Sequence, residues 1–283
     1  MRDKQAVIDF FETHKDIDGV IHFAASKAVG ESVEKPLLYY ENNVNALIYL
    51  LQELRRHNIS NVIFSSSCTV YGQADELPIT ENAPTKKALS PYGNTKHIGE
   101  DIIADLCYSD ASFDAIALRY FNPIGAHPTA EIGELPIGTP QNLVPFITQT
   151  AIGKRDELSV FGDDYDTPDG TCIRDYIHVM DLAEAHVKAL QRLLADQADD
   201  NYEIFNLGTG AGSSVMEVIK SFEKAADCKL PYRMAGRREG DITAAYADTR
   251  KANDVLGWKA LRSLEEALAS AWKWEQKHRE KQC

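Results

Sequence analysis

Cysteine is scarce in this 283-residue sequence and forms no recognisable pattern. The five cysteines lie far apart, so none has the close partner that a metal-binding motif would supply. An odd number of isolated cysteines is typical of thiols in a reducing compartment rather than of a disulfide framework. The sequence therefore predicts no structural disulfide and no metal site.

Long apolar runs and an excess of positive charge are absent as well. No apolar stretch approaches the roughly 18–20 residues that cross a membrane, and residues 1–9 lack the apolar centre of a secretory signal. Lys and Arg number 30 against 43 Asp and Glu, a net charge of -13, which disfavours binding to nucleic acid and to anionic membranes. We predict a cytoplasmic protein with neither of these partners.

A glycine-rich turn near the N-terminus is also missing. A sheet that binds a dinucleotide normally opens with a strand, a Gly-rich turn and a helix, and nothing before Gly19 supplies this pattern. The Gly cluster Gly208–Gly212, which follows a predicted strand, precedes Ser213 and lacks a suitably placed acid. We interpret it as a turn leading into a helix capped by Ser213 or Ser214, with a phosphate-binding loop as the less favoured alternative.

The chain does contain a regular alternation of short β-branched runs and longer amphipathic stretches. This order is typical of a parallel α/β sheet. The predicted strands are Gly19–Ala25, Asn61–Ser67, Ala115–Phe121 and Tyr202–Leu207. The predicted helices are Pro36–His57, Pro91–Tyr108, Leu143–Gly153, a helix from its N-cap Asp181 to about Asp196, and Leu264–His278.

Composition divides the chain into two predicted domains. Between Asn122 and Thr171 the sequence changes to Gly, Pro and short elements, which indicates a part separate from the sheet. We assign residues 1–121 and about 175–212 to the sheet domain. Residues of about 122–174 and 213–283 form the smaller second domain, so the boundary crosses the chain more than once.

One pair of side chains is suited to proton transfer. Tyr92 and Lys96 are four residues apart on a predicted helix and therefore share one face. A free phenol has a pKa of about 10, but a nearby cation favours the phenolate and lowers that pKa. The result is a group able to take and return a proton. The alternative is a solvated pair on a helix surface.

The strand before that helix ends in Ser65–Ser67, at the edge where open α/β sheets bind ligands. The Ser67 hydroxyl can donate and accept, and so bridge the phenol and a substrate hydroxyl. The alternative is a Ser-rich turn that satisfies its own backbone. We favour a catalytic group of Ser67, Tyr92 and Lys96, because a strand-end serine followed by Tyr-x-x-x-Lys on the next helix is a specific combination.

These residues resemble the UDP-glucose 4-epimerase family of the extended short-chain dehydrogenase/reductase superfamily. The resemblance spans nearly the whole chain in order. The matching runs are Phe23–Ser32, Ser65–Gly72, Ser90–Gly93, Arg119–His127, Gly170–Leu182 and Arg237–Asp241. It implies an NAD-binding, Rossmann-type parallel sheet, truncated at its N-terminus, with a smaller α/β substrate domain.

The resemblance also implies an activity, the interconversion of UDP-glucose and UDP-galactose with tightly held NAD. Tyr92 would take the proton of the sugar 4-hydroxyl while C4 passes a hydride to the nicotinamide. The flat 4-keto sugar would then turn over and be reduced on its other face. Ser67 would bridge the 4-oxygen, and Lys96 would bind the nicotinamide ribose and tune Tyr92.

The same resemblance implies two sets of binding residues. The cofactor contacts are Ser67, Tyr92 and Lys96 together with Phe23, Ala24, Ala25, Lys27, Asn42 and Phe121. The nucleotide-sugar contacts are Asn122, Asn142, Leu143, Val160, Phe161, Arg174, Arg238 and Asp241.

The residues themselves support the substrate contacts more weakly. The guanidinium groups of Arg174 and Arg238 suit a diphosphate. An isolated arginine, however, more commonly pairs with an adjacent acid, here Asp175 or Glu239.

Ala245 matches a position that resembles a size gate beside the sugar 2-substituent. In the family a bulky aromatic residue at this position accompanies plain hexoses, and a smaller residue leaves room for an N-acetyl group. We therefore expect UDP-N-acetylhexosamines as additional substrates, unless the neighbouring Tyr246 refills the space.

Two other functions remain open. Related 4,6-dehydratases carry an Asp-Glu pair after the strand-end hydroxyl, and this chain has Cys68 and Thr69 there, so dehydration is less favoured. A truncated, non-catalytic UDP-sugar-binding relative is the second alternative. Roughly 60 residues carrying the Gly-rich turn are missing before Met1 in comparison with the family. We expect weak NAD retention and an unpaired sheet edge at Val20–Phe23.

The resemblance implies a homodimer. Members of the family pair through two long helices, and Pro36–His57 and Pro91–Tyr108 correspond to them.

Overall fold

The computed structural model describes residues 1–238 and 240–280, with side chains as far as residue 278. Its strands, in chain order, are β1 (Gly19–His22), β2 (Asn61–Ser65), β3 (Asp114–Tyr120), β4 (Asn122–Ile124), β5 (Leu158–Phe161), β6 (Ile173–Arg174), β7 (Tyr176–His178), β8 (Tyr202–Leu207), β9 (Ser213–Ser214), β10 (Tyr232–Ala235) and β11 (Ala244–Ala245). Its α-helices are α1 (Lys4–Thr13), α2 (Val29–Glu34), α3 (Pro36–Tyr39), α4 (Ala46–Arg56), α5 (Pro91–Ser109), α6 (Leu143–Ala151), α7 (Val179–Leu194), α8 (Val215–Ala226), α9 (Arg250–Asp254) and α10 (Leu264–Glu280).

Four parallel strands form the central sheet in the order β1-β2-β3-β8. Apolar residues run along the inner strands without a polar face, because helices cover both sides. On β2, Val62 and Phe64 contribute to the core on one side of the sheet and Ile63 to the core on the other. This alternation follows from the period of two along a strand. The predicted α/β class with a parallel sheet is confirmed.

Two helical layers enclose the sheet. On one face α1, α4 and α5 pack through residues such as Phe11, Leu54 and Ile103. On the other face α7 and α9 pack through Leu182 and Ala252. A sheet covered in this way leaves its carboxyl edge as the accessible place for ligands.

A third core lies outside the sheet and is built from β5, α6, α8 and α10. Ile147, Val160, Phe222 and Leu268 are buried in it. The division into two domains stays a prediction. The segment 252–258, assigned by sequence to the second domain, contributes buried side chains to the core against the central sheet.

The strands end earlier than predicted. β1 ends at His22 and β2 at Ser65, two or three residues before the predicted ends at Ala25 and Ser67. After β1 the backbone leaves the sheet because the Asn43 carboxamide oxygen accepts from Ser26 N at 2.7 Å. The residues released from the two strands form loops at the carboxyl edge.

The predicted helix Pro36–His57 is present but not regular. A π-helical segment, Tyr40–Asn45, separates α3 from α4. At this segment Asn43 donates to Ser26 O and to Thr95 Oγ1, both at 3.0 Å, and so ties the helix to the β1 loop and to α5. Insertions of this kind are frequent at functional sites. The periodicity of the apolar residues alone could not show it.

The N-cap assigned to Asp181 is wrong. α7 begins at Val179, and His178 caps it by accepting from Met180 N at 3.0 Å. The Asp181 carboxylate instead accepts from the backbone N–H groups of Leu261 and Arg262 at 3.1 and 3.0 Å. Asp181 therefore anchors a distant loop, which a local capping rule cannot anticipate.

The turn at Gly208–Gly212 packs against protein. A Cβ on Gly208 would lie 2.3 Å from Asp175 Oδ2, and one on Gly212 would lie 2.4 Å from Ile173 Cγ2. Ser214 caps α8 in a capping box with Glu217. The interpretation of this segment as a turn before a capped helix is confirmed.

The central sheet has an open side. β1 pairs with β2, and within residues 1–238 and 240–280 no strand pairs with its other edge. Phe23, directly after β1, is 54% exposed.

Candidate active site

The serine strand end and the first turn of α5 lie together at the carboxyl edge of the sheet. Ser90 caps α5 by accepting from Gly93 N at 3.2 Å, and Pro91 occupies the first helical position. This cap places Tyr92 in the first turn and Lys96 one turn later. Both side chains are buried, as is Ser67, which caps the 3-10 turn Cys68–Tyr71 after β2.

Tyr92 is a buried phenol beside Ser67. Burial raises the pKa of the Tyr92 hydroxyl well above 10, and the neighbouring phenol of Tyr120 adds to the rise. The Ser67 hydroxyl interacts with the phenol and acts in the opposite direction on this pKa. Tyr92 is therefore a neutral proton donor in this structure.

Lys96 does not reach the phenol in the way the sequence suggested. Its Nζ donates to Ser65 O at 2.5 Å and lies 5.1 Å from the centre of the Phe64 ring. Burial lowers the pKa of Lys96 to about 8, and Glu100 opposes this shift. The expected lowering of the Tyr92 pKa by Lys96 is wrong here, because burial outweighs any charge that acts on the phenol.

The predicted cofactor residues fall into an exposed and a buried group. Phe23, Ala24 and Lys27 are exposed on the loop after β1, and the Phe23 ring lies over His186 with 4.4 Å between ring centres. Ala25 is half-buried on the same loop. Asn42, in the π-helical segment, donates to Ser26 Oγ at 2.7 Å.

Phe121 is a core residue. It is 3% exposed and packs with Tyr71, Ile79 and Ala245 below the site. Its backbone N–H donates to Leu207 O at 3.1 Å.

A cavity of about 280 Å³ lies next to these residues, between β4, α6 and β5. This volume is near the lower end of the range for small-molecule sites. Its lining includes Asn122, Asn142, Leu143, Val160, Phe161, Arg174, Arg238 and Asp241. The structure thus brings together every predicted substrate residue except Ala245. Cys68, which directly follows Ser67, packs against the cluster that contains Ala245, and Ala245 pairs with the lining residue Arg174, so the cavity lies close to Ser67.

Two arginines share one acid at the cavity. Arg238 Nε donates to Asp241 Oδ2 at 3.0 Å, and Arg174 Nη2 lies 3.8 Å from Asp241 Oδ1. The alternative partner proposed for Arg174, Asp175, instead accepts from Thr209 N and from the turn after it. The alternative partner of Arg238, Glu239, lies outside the described residues. Two cations against one carboxylate leave this wall positive in a chain that is acidic overall.

Ala245 lies behind the cavity wall. It is 5% exposed, and on β11 it pairs with Arg174 of β6, which lines the cavity. Its side chain packs with Val70 and Phe121. It is therefore a neighbour of a lining residue and not itself part of the lining.

Glu134 is a cavity residue that the sequence reasoning missed. Its Oε1 accepts from Lys27 Nζ at 3.0 Å and from Asn142 Nδ2 at 2.7 Å, so it connects a predicted cofactor residue with a predicted substrate residue. The Trp274 indole donates to Glu134 O at 3.1 Å and holds this loop in place. An acid in an irregular loop carries no periodicity, and only the fold brings its partners to it.

The described residues contain neither a membrane-spanning helix nor a metal-binding cluster. Within residues 1–238 and 240–280, no helix is long and apolar enough to span a bilayer. In the same ranges no group of His, Cys, Asp and Glu side chains is arranged to hold a metal ion.

The chain is similar to enzymes of known activity. It is 50% identical over 278 residues to UDP-glucose 4-epimerase 1 of Oryza sativa, covering 98% of this chain and 78% of that enzyme. It is 50% identical over 273 residues to UDP-glucose 4-epimerase of Bacillus subtilis, covering 96% and 79%.

Solved structures of similar enzymes share the fold. The crystal structure of UDP-glucose 4-epimerase from Stenotrophomonas maltophila, with bound NAD and formylated UDP-arabinopyranose, has a TM-score of 0.94 at 45% identity and covers 99% of this chain and 82% of that chain. The enzyme from Bifidobacterium longum, in complex with NAD+ and UDP, has a TM-score of 0.92 at 48% identity and covers 98% and 82%.

A parallel Rossmann-type sheet with Ser67 and the Tyr92-x-x-x-Lys96 pair at its carboxyl edge defines a protein of the extended short-chain dehydrogenase/reductase class. The model of the NAD dependent epimerase/dehydratase family matches residues 1–208. The chain belongs to this family, and the relatives described above are UDP-glucose 4-epimerases. The resemblance inferred from the sequence is confirmed.

Proposed function

We propose that this protein interconverts UDP-glucose and UDP-galactose with NAD as cofactor. The observation that carries the proposal is the buried pair of Tyr92 and Ser67, next to a cavity whose wall holds Arg174 and Arg238. A proton donor and acceptor beside a pocket wall that carries two guanidinium groups suits a sugar hydroxyl on a diphosphate carrier.

Tyr92 and Ser67 would move the proton of the sugar 4-hydroxyl. In the return half of the reaction the 4-keto sugar regains a proton on O4, and Tyr92, neutral because its pKa is raised, is in the donating form. In the forward half the phenolate is required, and the hydrogen bond from Ser67, which lowers the pKa of Tyr92 against the effect of burial, favours that form. The Ser67 hydroxyl, which can donate and accept, would bridge the phenol to O4.

The residues at the carboxyl edge fit the nicotinamide ribose half of NAD. Lys96, Ser67 and Asn42 offer an ammonium, a hydroxyl and a carboxamide for ribose and amide groups, and the exposed Phe23 ring offers an apolar face. Held by these residues, NAD would supply a hydride acceptor for C4 of the sugar and, once reduced, a hydride donor for the keto carbon. We assign Phe23, Ala24, Ala25, Lys27, Asn42, Ser67, Tyr92, Lys96 and Phe121 to its binding, the last through the core beneath the site.

The turnover of UDP-galactose tests the proposal. We expect the purified protein, supplied with NAD, to form UDP-glucose, measured by chromatography of the nucleotide sugars. Binding of UDP-glucose without product would instead favour the non-catalytic alternative. Formation of a 4-keto-6-deoxy sugar would favour the 4,6-dehydratase, against which Cys68 argues, because burial raises the pKa of its thiol to about 12 and makes it a poor acid.

We predict that Arg238→Gln raises the KM for UDP-galactose by about 10–100-fold, because a charge-assisted hydrogen bond to phosphate contributes roughly 1.5–3 kcal/mol. The neighbouring Arg237 is the matched control. It pairs with Asp164 at 2.7 Å and lies over the Tyr165 ring, and it is absent from the cavity lining. Arg237→Gln should change the KM less than twofold, and equal effects of both variants would contradict the assignment.

We predict that the protein also converts UDP-N-acetylglucosamine and that Ala245→Tyr lowers this activity at least tenfold relative to UDP-glucose. A tyrosine at this buried position beside Arg174 must push its ring toward the cavity, because the core behind it is filled. The ratio of kcat/KM for the two substrates, measured for both proteins, gives the result. A wild-type protein without N-acetylglucosamine turnover would refute the size gate.

We further propose a cytoplasmic homodimer. Leu37 of α3 and Tyr108 of α5 are 81% and 94% exposed, and such side chains are suited to a helical interface.

We also propose that the chain is divided into an NAD-binding part and a nucleotide-sugar-binding part. Two separate cores, one on the sheet and one around α6, α8 and α10, support this division.

A further inference from the structure

A buried ion pair lies directly under the catalytic residues and is not used by the reaction proposed above. Glu100 and Arg119 are 5% and 4% exposed. Arg119 Nε and Nη2 donate to the two oxygens of Glu100 at 2.9 and 2.6 Å. Burying two charges is costly, and apolar residues of the same size would often serve the fold equally well. Stability alone therefore does not account for the pair.

Further hydrogen bonds hold the pair rigidly. Arg119 Nη1 donates to the Tyr71 hydroxyl at 2.9 Å, and that hydroxyl donates to Asn206 Oδ1 at 2.7 Å. Asn206 in turn donates to Ile79 O at 2.9 Å. The carboxylate of Glu100 is thus fixed by groups from β3, the 3-10 turn and β8.

Glu100 contacts the site in two ways. Its Oε1 accepts a hydrogen bond from Ser66 Oγ, in the middle of the serine strand end that carries Ser67. It also lies one helical turn beyond Lys96 on α5, on the same face. Ser65 O, the acceptor of the Lys96 ammonium, is next to Ser66 in the chain.

We propose that Glu100 is a positioning residue for epimerisation: through Ser66 it fixes the end of β2, and as a buried anion it keeps Lys96 in the ammonium form. Arg119 holds the carboxylate in place. This inference rests on the proposed function. It adds a role to a residue that touches neither sugar nor cofactor.

The other groups that face Lys96 do not supply this charge. His22 on β1 is buried, and burial followed by the charge of Lys96 lowers its pKa to about 4, so it is neutral where the enzyme would work. Phe64 on β2 offers only its ring. Tyr92 on α5 is a neutral phenol, and Arg119 on β3 is paired with Glu100 itself. Glu100 is the charge that raises the pKa of Lys96 against the effect of burial.

The pH profile of kcat/KM for UDP-galactose tests the inference. We expect Glu100→Gln to move the alkaline limb of the profile to lower pH by about one unit. At pH 8.5 this shift lowers kcat/KM roughly tenfold, and the shape of the limb changes little. Glu100→Asp keeps the charge and should leave the limb at the wild-type pH even where kcat falls. Tyr71→Phe, which loosens Arg119 without touching the carboxylate, should leave it there too.

A double variant covers the case in which Glu100→Gln leaves Arg119 unpaired and does not fold. Glu100→Gln/Arg119→Gln removes both charges together, which buried pairs tolerate better than the loss of one. It should show the same shift of the alkaline limb. A profile that is lower at every pH but not displaced would overturn the inference while leaving the proposed function intact. A wild-type protein that forms no UDP-glucose would overturn both.

Discussion

Replacing Tyr92 with Phe is expected to lower the conversion of UDP-galactose to UDP-glucose by at least about 1,000-fold, since proton transfer by a positioned side chain contributes roughly 100–10,000-fold. The variant removes one oxygen from a buried side chain whose hydroxyl interacts with Ser67. The ring and its packing stay, so UDP binding and the thermal unfolding midpoint should change little. Initial rates with NAD in excess, together with calorimetric binding of UDP, measure both quantities.

Tyr202 provides the matched control for this substitution. It lies on β8, its hydroxyl is buried, and that hydroxyl has no hydrogen-bond partner among the described residues. Tyr202→Phe makes the same chemical change away from the site and should retain full turnover. If Tyr92→Phe kept more than a tenth of the wild-type rate, the phenol would not be the proton carrier.

Replacing Lys96 with Met is expected to lower kcat/KM by at least about 100-fold with little loss of stability at pH 7. The ammonium is lost from the site, whereas Met conserves the volume of the side chain. Two effects on stability oppose each other. Removing a buried charge relieves roughly 3 kcal/mol, the free energy that corresponds to lowering the pKa from 10.5 to about 8. Leaving Ser65 O without its donor costs about 1–3 kcal/mol.

The pH dependence of unfolding separates this interpretation from a simple packing role. Between pH 8 and 10.5 the unfolded chain holds a proton on Lys96 that the folded protein has released, so this residue makes the folded state more stable as pH rises. Between pH 7.5 and 9.5 the wild type should gain about 2 kcal/mol relative to Lys96→Met. Urea unfolding of both proteins at the two pH values gives the difference. An equal response of the two would show that the pKa of Lys96 is not lowered in the folded protein.

The sequence predicted the arrangement of Ser67, Tyr92 and Lys96 better than it predicted their electrostatics. The i, i+4 spacing put Tyr92 and Lys96 on one helix face, and the strand-end rule put Ser67 beside them. The spacing could not show that Lys96 turns to Ser65 O or that burial dominates the Tyr92 pKa. Both depend on how deeply α5 packs against β2, which is a property of the assembled layers.

The sequence motifs pointed to residues that line the cavity, but they did not show which charged groups pair there. Arg174 and Arg238 line one cavity, and their shared partner is Asp241. Adjacency in sequence favoured other acids because ion pairs between distant segments leave no local pattern. Glu134 and Glu100 were missed for the same reason, since each receives its partners from separate elements of the fold.

The alternation of apolar runs and amphipathic stretches by itself determined the parallel α/β sheet, its strand order along the chain, and the edge that carries the reactive side chains. These features follow from the local periodicity of the sequence and from the regular, right-handed packing of parallel strands with their connecting helices. Tertiary structure alone decided which charged groups pair and how deeply each ionisable group is buried. It also decided that the long helix becomes π-helical over Tyr40–Asn45. Those outcomes depend on contacts between residues far apart in the chain, and only a packed interior brings them within hydrogen-bond distance.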